Sequence, residues 1–279
     1  MLSQMDENVE RELERQLERV WQLMDENDLG AAARALASAR AAAPDDPRVL
    51  EATAELALAR NQPKAALQAF ERWMVLDPLE PDPWLGAAEI YLERLGDAQS
   101  AARLLRGFLV HSDLDLLEEA DARHLLGHAL DALGDRQGRT REWLRTLHLD
   151  RAADEQGEEL LTTEEFERIA AAALDELPRE LLERLGNVPV LVAERPSEED
   201  VRAGLDPRTL GLFTGLPMPD QSFLGGPPHT GVIHLFRRNL EAQAEDEEDL
   251  AEQIRITVIH ETAHYFGLSD DDLARLGLD

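Results

Sequence analysis

The first 150 residues repeat apolar side chains three or four positions apart with charged side chains between them, which is the pattern of amphipathic helices. Glycine and proline are scarce inside these stretches, as helices require. They are concentrated instead in short polar turns. The turns are ENDLG (26–30), APDDP (43–47), RNQP (60–63), DPLEPDP (77–83), RLGD (94–97) and ALGD (132–135). The pattern predicts an all-helical N-terminal domain over residues 1–150.

These turns recur at a regular distance. Pro44 and Pro78 lie 34 residues apart, as do Pro47 and Pro81, and 34 residues is the tetratricopeptide period. Small residues take the positions where two helices would touch, and large residues would be buried between repeats. These positions are Ala32 and Leu36; Ala54, Ala66 and Phe70; Trp84, Ala88, Tyr91, Ala101 and Leu105, with one residue inserted; and Leu126, Gly127, Leu130 and Trp143.

The N-terminal region therefore resembles a tetratricopeptide-repeat array of about four degenerate hairpins. The resemblance implies a concave groove that holds a peptide or a protein partner. A non-repetitive helical bundle is the alternative.

The pattern changes after residue 150. RAADEQGEELLTTEE is polar and predicts a linker over residues 151–162, with a helix beginning at Thr162 or Thr163. Two runs rich in β-branched residues, VPVLVAE (188–194) and GVIHLF (231–236), predict strands. The stretch between them is rich in glycine and proline and predicts a long irregular loop. Further helices are predicted over 166–177, 178–186, 244–266 and about 269–276. Residues 163–279 are thus predicted to form a small α+β domain, and the whole chain is α+β.

Composition narrows the possible functions. The 279 residues include no cysteine, which excludes disulfides, thiolate metal sites and cysteine nucleophiles. The net charge of −30 disfavours nucleic-acid binding and favours a well-solvated acidic surface. No stretch approaches the roughly 20 apolar residues of a membrane span, and no signal peptide is visible at the N-terminus. We expect a cytoplasmic protein that binds neither membrane nor nucleic acid.

The chemistry is concentrated in HETAHYFGLSD (260–270). Residues four apart share one face of a helix, so His260 and His264 are placed to ligate one metal ion. Glu261 lies on the adjoining edge, where it would hold a water molecule as general base. Gly267 can adopt a left-handed conformation, end the helix and let Asp270 return as third ligand, which leaves a fourth position for water. Asp271 is the alternative third ligand.

This arrangement predicts one zinc ion and hydrolysis of peptide bonds. Bound zinc lowers the pKa of water to about 7 and polarises the scissile carbonyl, and Glu261 would move the proton to the leaving amine. His229, His234 and Tyr265 are unranked candidates for an additional oxyanion donor. A second pair, His124 and His128, has the same spacing, but leucine stands where the glutamate should be. We interpret that pair as part of a repeat helix.

From about residue 163 the chain resembles the small bacterial zincin-like metallopeptidases. The resemblance rests on FERIAAAALDELP, NVPVLVAERP, LGLFTGLP, GVIHLF and TVIHETAHYFGLSDDDLARLG. It implies a twisted sheet beside an active-site helix, metal ligation by His260, His264 and Asp270, and Glu261 as the base. The methionine turn of metzincins is missing, because no methionine follows Asp270.

Three functions remain open at this point. The first is a zinc metallopeptidase whose repeats recruit substrate or a partner, with GVIHLF as the edge strand on which a peptide lies. The second is a repeat-based binding or scaffold protein with a catalytically weak or structural zincin domain. The third, a metal-dependent nuclease, is disfavoured by the acidic charge. Two ordinary histidines on an acidic helix are the alternative to any metal site.

Overall fold

The computed structural model describes residues 2–111, 114–157, 159–175, 188–215 and 231–269. The chain divides into two compact units, Met1–Thr146 and Leu147–Asp279. Helices build the first unit, and helices with a small sheet build the second, which confirms the predicted α+β class. None of the helices in the described part of the chain has both the length and the apolar character needed to cross a membrane.

The helices of the N-terminal region follow one another as hairpins. From α1 to α7 each helix packs against the next, and α8 contacts α7 where Trp143 Nε1 donates to His124 O. Their bounds are Leu2–Asp25 (α1), Leu29–Ala42 (α2), Pro47–Ala59 (α3), Pro63–Leu76 (α4), Asp82–Glu89 (α5), Ala98–Phe108 (α6), Leu116–Ala132 (α7) and Arg136–Asp154 (α8). Aspartates cap several of these helices by accepting hydrogen bonds from backbone amides of the first turn, as Asp28 does from Ala31 N at 2.8 Å. The prediction of helical hairpins is confirmed.

Each hairpin turn of the array contains one residue in the left-handed backbone region. These residues are Asn27 (φ 57°), Asn61 (φ 57°), Gly96 (φ 63°) and Gly134 (φ 76°). The N–H of the next residue then donates to a carbonyl five residues back, from Asp28 to Leu23 and from Gln62 to Ala57. Asparagine and glycine tolerate this conformation best, so the same helix-ending motif repeats along the chain.

The third hairpin differs by one residue. Its first helix continues beyond Glu89 into a π-helical turn, Ile90–Arg94, and Asp97 N donates to Tyr91 O six residues back. A π turn accommodates one extra residue without breaking the helix. The inserted residue read from the sequence is therefore absorbed inside the helix, and the small positions on either side keep their contacts.

The predicted contact positions are buried. Ala54, Ala66, Ala88 and Ala101 have no exposed surface. The large residues predicted between repeats are buried at Phe70, Leu105, Leu126, Leu130 and Trp143, and half-buried at Trp84 and Tyr91. Close helix contact at alanine and filling by larger side chains thus explain the hairpin stack, as the repeat pattern predicts.

The second unit contains one sheet in its described residues, with strand order β1–β3–β2. The bounds are Thr163–Asp175 (α9), Val190–Ala193 (β1), Glu198–Ala203 (α10), Gly211–Thr214 (β2), Val232–Phe236 (β3), Arg237–Glu241 (α11) and Glu247–Tyr265 (α12). β1 runs parallel to β3, and β2 runs antiparallel to it. The sheet face formed by Ile233 and Leu235 is buried against α9 and α12.

Two sequence expectations are wrong in this unit. The segment after Pro196, expected to be irregular, contains α10, which begins with a capping box between Ser197 and Asp200, and the strand β2. GVIHLF, expected at the edge, is the central strand of the described sheet because β1 and β2 pair with its two sides. A four-residue strand between glycines carries too little alternation to be recognised.

Buried ion pairs join the end of α8 to this sheet. Arg195, just after β1, donates to Asp154 Oδ2 at 2.6 Å and to Asp150 Oδ2 at 3.4 Å. Arg208 donates to Asp150 Oδ1 at 2.9 Å. α8 runs to Asp154. The domain boundary at residue 150 and the linker over 151–162 remain predictions.

Candidate metal centre

The helix α12 carries the candidate site, and its sequence sets where it begins. Asp246 caps it by accepting from Glu248 N and Asp249 N, both at 2.9 Å. Acidic side chains in the first turn also suit the positive end of the helix dipole. The EDEED run is therefore a helix start, as predicted. Ile254 and Val258 are fully buried and fix one face of the helix on the core.

His260 and His264 direct their Nε2 atoms at each other. The two atoms lie 3.0 Å apart and the rings are nearly perpendicular, at 82°. Two Zn–N bonds of about 2.05 Å at a tetrahedral angle would place the two nitrogens about 3.3 Å apart. The pair therefore needs only a small adjustment to serve as two ligands of one zinc ion.

The tautomer of His264 also suits metal binding. Its Nδ1 lies 2.9 Å from the carbonyl oxygen of Leu268. A carbonyl oxygen only accepts, so Nδ1 carries the proton and Nε2 of the neutral ring holds the lone pair. Leu268 is held there because Gly267, with φ 83°, ends the helix and Leu268 N donates to Ala263 O at 3.1 Å. The left-handed glycine predicted from the sequence is present.

Glu261 is buried, with 7% of its surface exposed, and its carboxylate has a fixed position. Its Oε2 accepts a hydrogen bond from Phe213 N in β2 at 2.6 Å. Glu261 directly follows His260 in α12, on the helix turn that carries the two histidines. A buried carboxylate with a backbone donor is held in one orientation, as a general base requires.

The backbone N–H of Phe213 can donate to Glu261 because it points away from β3, the strand with which β2 pairs. Phe236 N donates to Leu210 O, and Leu212 is opposite His234 in the register. Since N–H groups alternate sides along an antiparallel strand, Gly211 and Phe213 direct theirs to the side of β2 on which no described strand pairs.

A close contact between backbone and helix brings β2 to Glu261. A Cβ added to Gly211 would lie 2.7 Å from Thr257 Cγ2, 2.9 Å from Glu261 Cγ and 3.1 Å from Glu261 Oε1. Only glycine leaves room for α12 at this distance. Next to this contact, the Phe213 ring packs edge-on against Tyr265, with centroids 5.7 Å apart.

Sequence reasoning missed Gly211 and Phe213 as parts of the site. They appear in LGLFTGLP, which carries part of the family resemblance, but nothing in that segment indicates a partner 48 residues away. A glycine inside a short apolar run was the available sign of close backbone approach.

Other predicted residues have different outcomes. Asp270, Asp271 and His229 lie outside the described residues. His234 lies on β3 between Ile233 and Leu235, so it faces the side of the sheet opposite α12. Tyr265 is buried beside the site.

The second histidine pair, His124 and His128 of α7, has similar geometry. His124 Nε2 and His128 Nε2 lie 3.3 Å apart, with rings at 83°. Converging imidazoles therefore do not by themselves distinguish the two pairs. The residue that follows the first histidine does: it is Glu261 after His260, whereas residue 125 is leucine.

No curated protein matches this chain. Among solved structures, it is similar to one described as "Crystal structure of MamA protein", with 16% identity, a TM-score of 0.43, and coverage of 50% of this chain and 73% of that chain. Residues 185–278, which include β1, β2, β3 and α12, match the family model for zincin-like metallopeptidase. The predicted family resemblance of the C-terminal region, to the zincin-like metallopeptidases, is confirmed.

Proposed function

We propose that the protein is a zinc-dependent peptidase that uses Glu261 as general base. The observation that carries the proposal is the buried Glu261 carboxylate, held by Phe213 N at 2.6 Å, on the helix turn whose two histidines have converging Nε2 atoms. The match of residues 185–278 to a metallopeptidase family supports it. A purely structural helix would have no need of a buried acid here, because burial of a carboxylate costs stability.

The donor set fits one zinc ion. His260 and His264 would supply Nε2 ligands, and Asp270 is the proposed third ligand, which leaves one open position. Zinc, when bound, lowers the pKa of a water molecule to about 7 and polarises the scissile carbonyl. The carbonyl of Leu268 would keep His264 in the tautomer that binds metal.

Glu261 would then act on the proton. Its carboxylate accepts a proton from the attacking water and passes it to the leaving amine, so the same group is base and then acid. Both roles require a fixed orientation, which the burial of Glu261 and the amide of Phe213 supply. Replacing the carboxylate with an amide would keep the shape and remove the proton acceptor.

The substrate would lie along the side of β2 on which no described strand pairs, rather than along β3. Main-chain hydrogen bonding to the edge of a strand is a common way to bind an extended peptide. Phe213 N would keep its hydrogen bond to Glu261 in the complex, and the peptide would pair with the other backbone groups on that side of β2.

Metal analysis tests the proposal. Zinc content of the purified full-length protein, by plasma mass spectrometry, is compared with that of His264→Ala, and casein cleavage is measured on the same samples. We expect the zinc at this site and the hydrolysis to be lost together in the variant. If His264→Ala cleaves casein as well as the wild type does, this site is ruled out.

A second function is favoured by a cleft in the repeats. α2, α3 and the start of α4 enclose a cleft of about 170 Å³. Of the described residues that line it, two are arginines, Arg40 and Arg60, and none is acidic, although the chain carries a charge of −30. Leu36 and Ala57 supply an apolar wall. We propose that this cleft binds an acidic side chain or carboxylate of a peptide, so that the repeats recruit a partner or substrate.

Peptide binding tests the cleft. Arg40→Gln/Arg60→Gln is compared with Arg103→Gln/Arg106→Gln, which removes the same charge from residues that do not line the cleft. With fluorescein-labelled acidic peptides, we expect weaker binding only in the first variant. Equal loss in both would indicate general electrostatic attraction, and no loss in either would refute the cleft.

A further inference from the structure

We propose that His124 and His128 on α7 form a second metal site, separate from the peptidase centre and outside its mechanism. Their Nε2 atoms lie 3.3 Å apart. That separation is the one that two ligands of a tetrahedral zinc ion require, about 3.3 Å for Zn–N bonds of about 2.05 Å. The Nε2–Nε2 distance of this second pair is therefore at least as close to the value for one zinc ion as that of His260 and His264, which is 3.0 Å.

The rings are held in this arrangement by the repeat packing. Trp143 is buried, its ring centroid lies 5.3 Å from that of His128, and its Nε1 donates to the carbonyl oxygen of His124 at 3.3 Å. Because the indole supports one ring and the backbone of the other, the two imidazoles lose little freedom when a metal binds. Preorganised donors gain affinity by avoiding this ordering cost.

The two imidazole donors favour a divalent transition-metal cation. Imidazole nitrogen suits zinc, copper and nickel, whereas calcium and magnesium prefer oxygen donors. Residue 125 is leucine, so this pair has no glutamate in the position of Glu261 and would bind metal without hydrolysis.

Counting bound metal separates the two sites. Metal-free full-length protein is dialysed against Zn²⁺ and analysed by plasma mass spectrometry as wild type, His124→Gln/His128→Gln and His260→Gln/His264→Gln. We expect each double variant to lose one equivalent, and the first to keep its casein cleavage. Equal zinc content in the wild type and His124→Gln/His128→Gln would overturn the second site, whatever happens to hydrolysis.

A spectroscopic probe places the ion. Cu²⁺ bound beside His128 should quench the fluorescence of Trp143, so Trp143→Phe should lose the quenching step but keep the bound copper. His128→Gln, a smaller change than the double variant, should lose both, with circular dichroism as the folding control. Quenching that persists in Trp143→Phe, or copper binding that is unchanged in His128→Gln, would refute the assignment.

Discussion

Gly211→Ala tests the contact that joins the sheet to the candidate catalytic carboxylate. The new methyl carbon would lie 2.7 Å from Thr257 Cγ2 and 2.9 Å from Glu261 Cγ, well inside ordinary van der Waals distance. Overpacking of this kind costs about 1–3 kcal/mol. Replacing glycine with alanine also lowers the conformational entropy of the unfolded chain, which stabilises the folded state by about 0.4–1 kcal/mol. We therefore expect a net loss of about 1–2 kcal/mol in the free energy of unfolding.

The effect on catalysis should exceed the effect on stability. The methyl group meets the Glu261 side chain itself, and a displacement of about 1 Å at a catalytic group lowers rates by about 100-fold. Urea unfolding and peptide hydrolysis at saturating zinc are measured together. Thr257→Ser removes the clashing Cγ2, so Gly211→Ala/Thr257→Ser should recover part of the stability but little of the activity.

Gly107→Ala is the matched control for this substitution. Nothing lies closer than 3.9 Å to a Cβ added at Gly107, and the residue is inside α6. The change should raise stability by up to about 1 kcal/mol, since alanine is the better helix former. Gly211→Ala with wild-type stability and wild-type turnover would refute the proposed contact and the positioning of Glu261 by β2.

Two further predictions concern charges. Asp150→Asn removes the buried carboxylate that both Arg195 and Arg208 contact, so the free energy of unfolding should fall by about 1–3 kcal/mol in urea, whereas the exposed Asp45→Asn should leave it nearly unchanged; equal effects would contradict the buried network. The pKa of Asp46 is lowered by its hydrogen bond with the neighbouring arginine of α3, so its charge stabilises the fold above the unfolded pKa of about 3.9 and loses that effect as the pH falls through the folded pKa. The stability difference between the wild type and Asp46→Asn, measured by thermal unfolding, should therefore close below about pH 4, and a gap that widens on acidification would refute this sign.

The helical array could be predicted in detail because its information is local and repeated. The 34-residue proline spacing gives the hairpins, and the small residues give the contact points. The extra residue of the third hairpin is also visible in the sequence, because Ala88 and Ala101 lie one position farther apart than Ala54 and Ala66 do in the preceding repeat. The π turn that absorbs it needs the structure, since an insertion can also be placed in a loop.

The sheet was predicted less well because strand position depends on tertiary pairing. GVIHLF has the composition of any half-buried strand, and composition does not tell a central strand from an edge. β2 has only four residues and is preceded by a segment rich in turn residues. Its role follows from contacts with α12, which no local pattern records.

In the candidate site, too, the features set by local sequence could be predicted and those set by tertiary contacts could not. The spacing of His260 and His264 predicts convergence, because one helical turn separates them. The hydrogen bond from Phe213 to Glu261 joins residues 48 apart and could not be predicted. The role of Asp270 as third ligand remains a prediction, because it lies outside the described residues.

The most direct test is the turnover of zinc-loaded Glu261→Gln beside Glu252→Gln, an exposed glutamate on the same helix. Both variants remove one negative charge from α12. If Glu261 is the general base, Glu261→Gln keeps its zinc and loses at least about 100-fold in kcat, while Glu252→Gln retains wild-type turnover. Wild-type turnover in zinc-loaded Glu261→Gln would contradict the proposed mechanism.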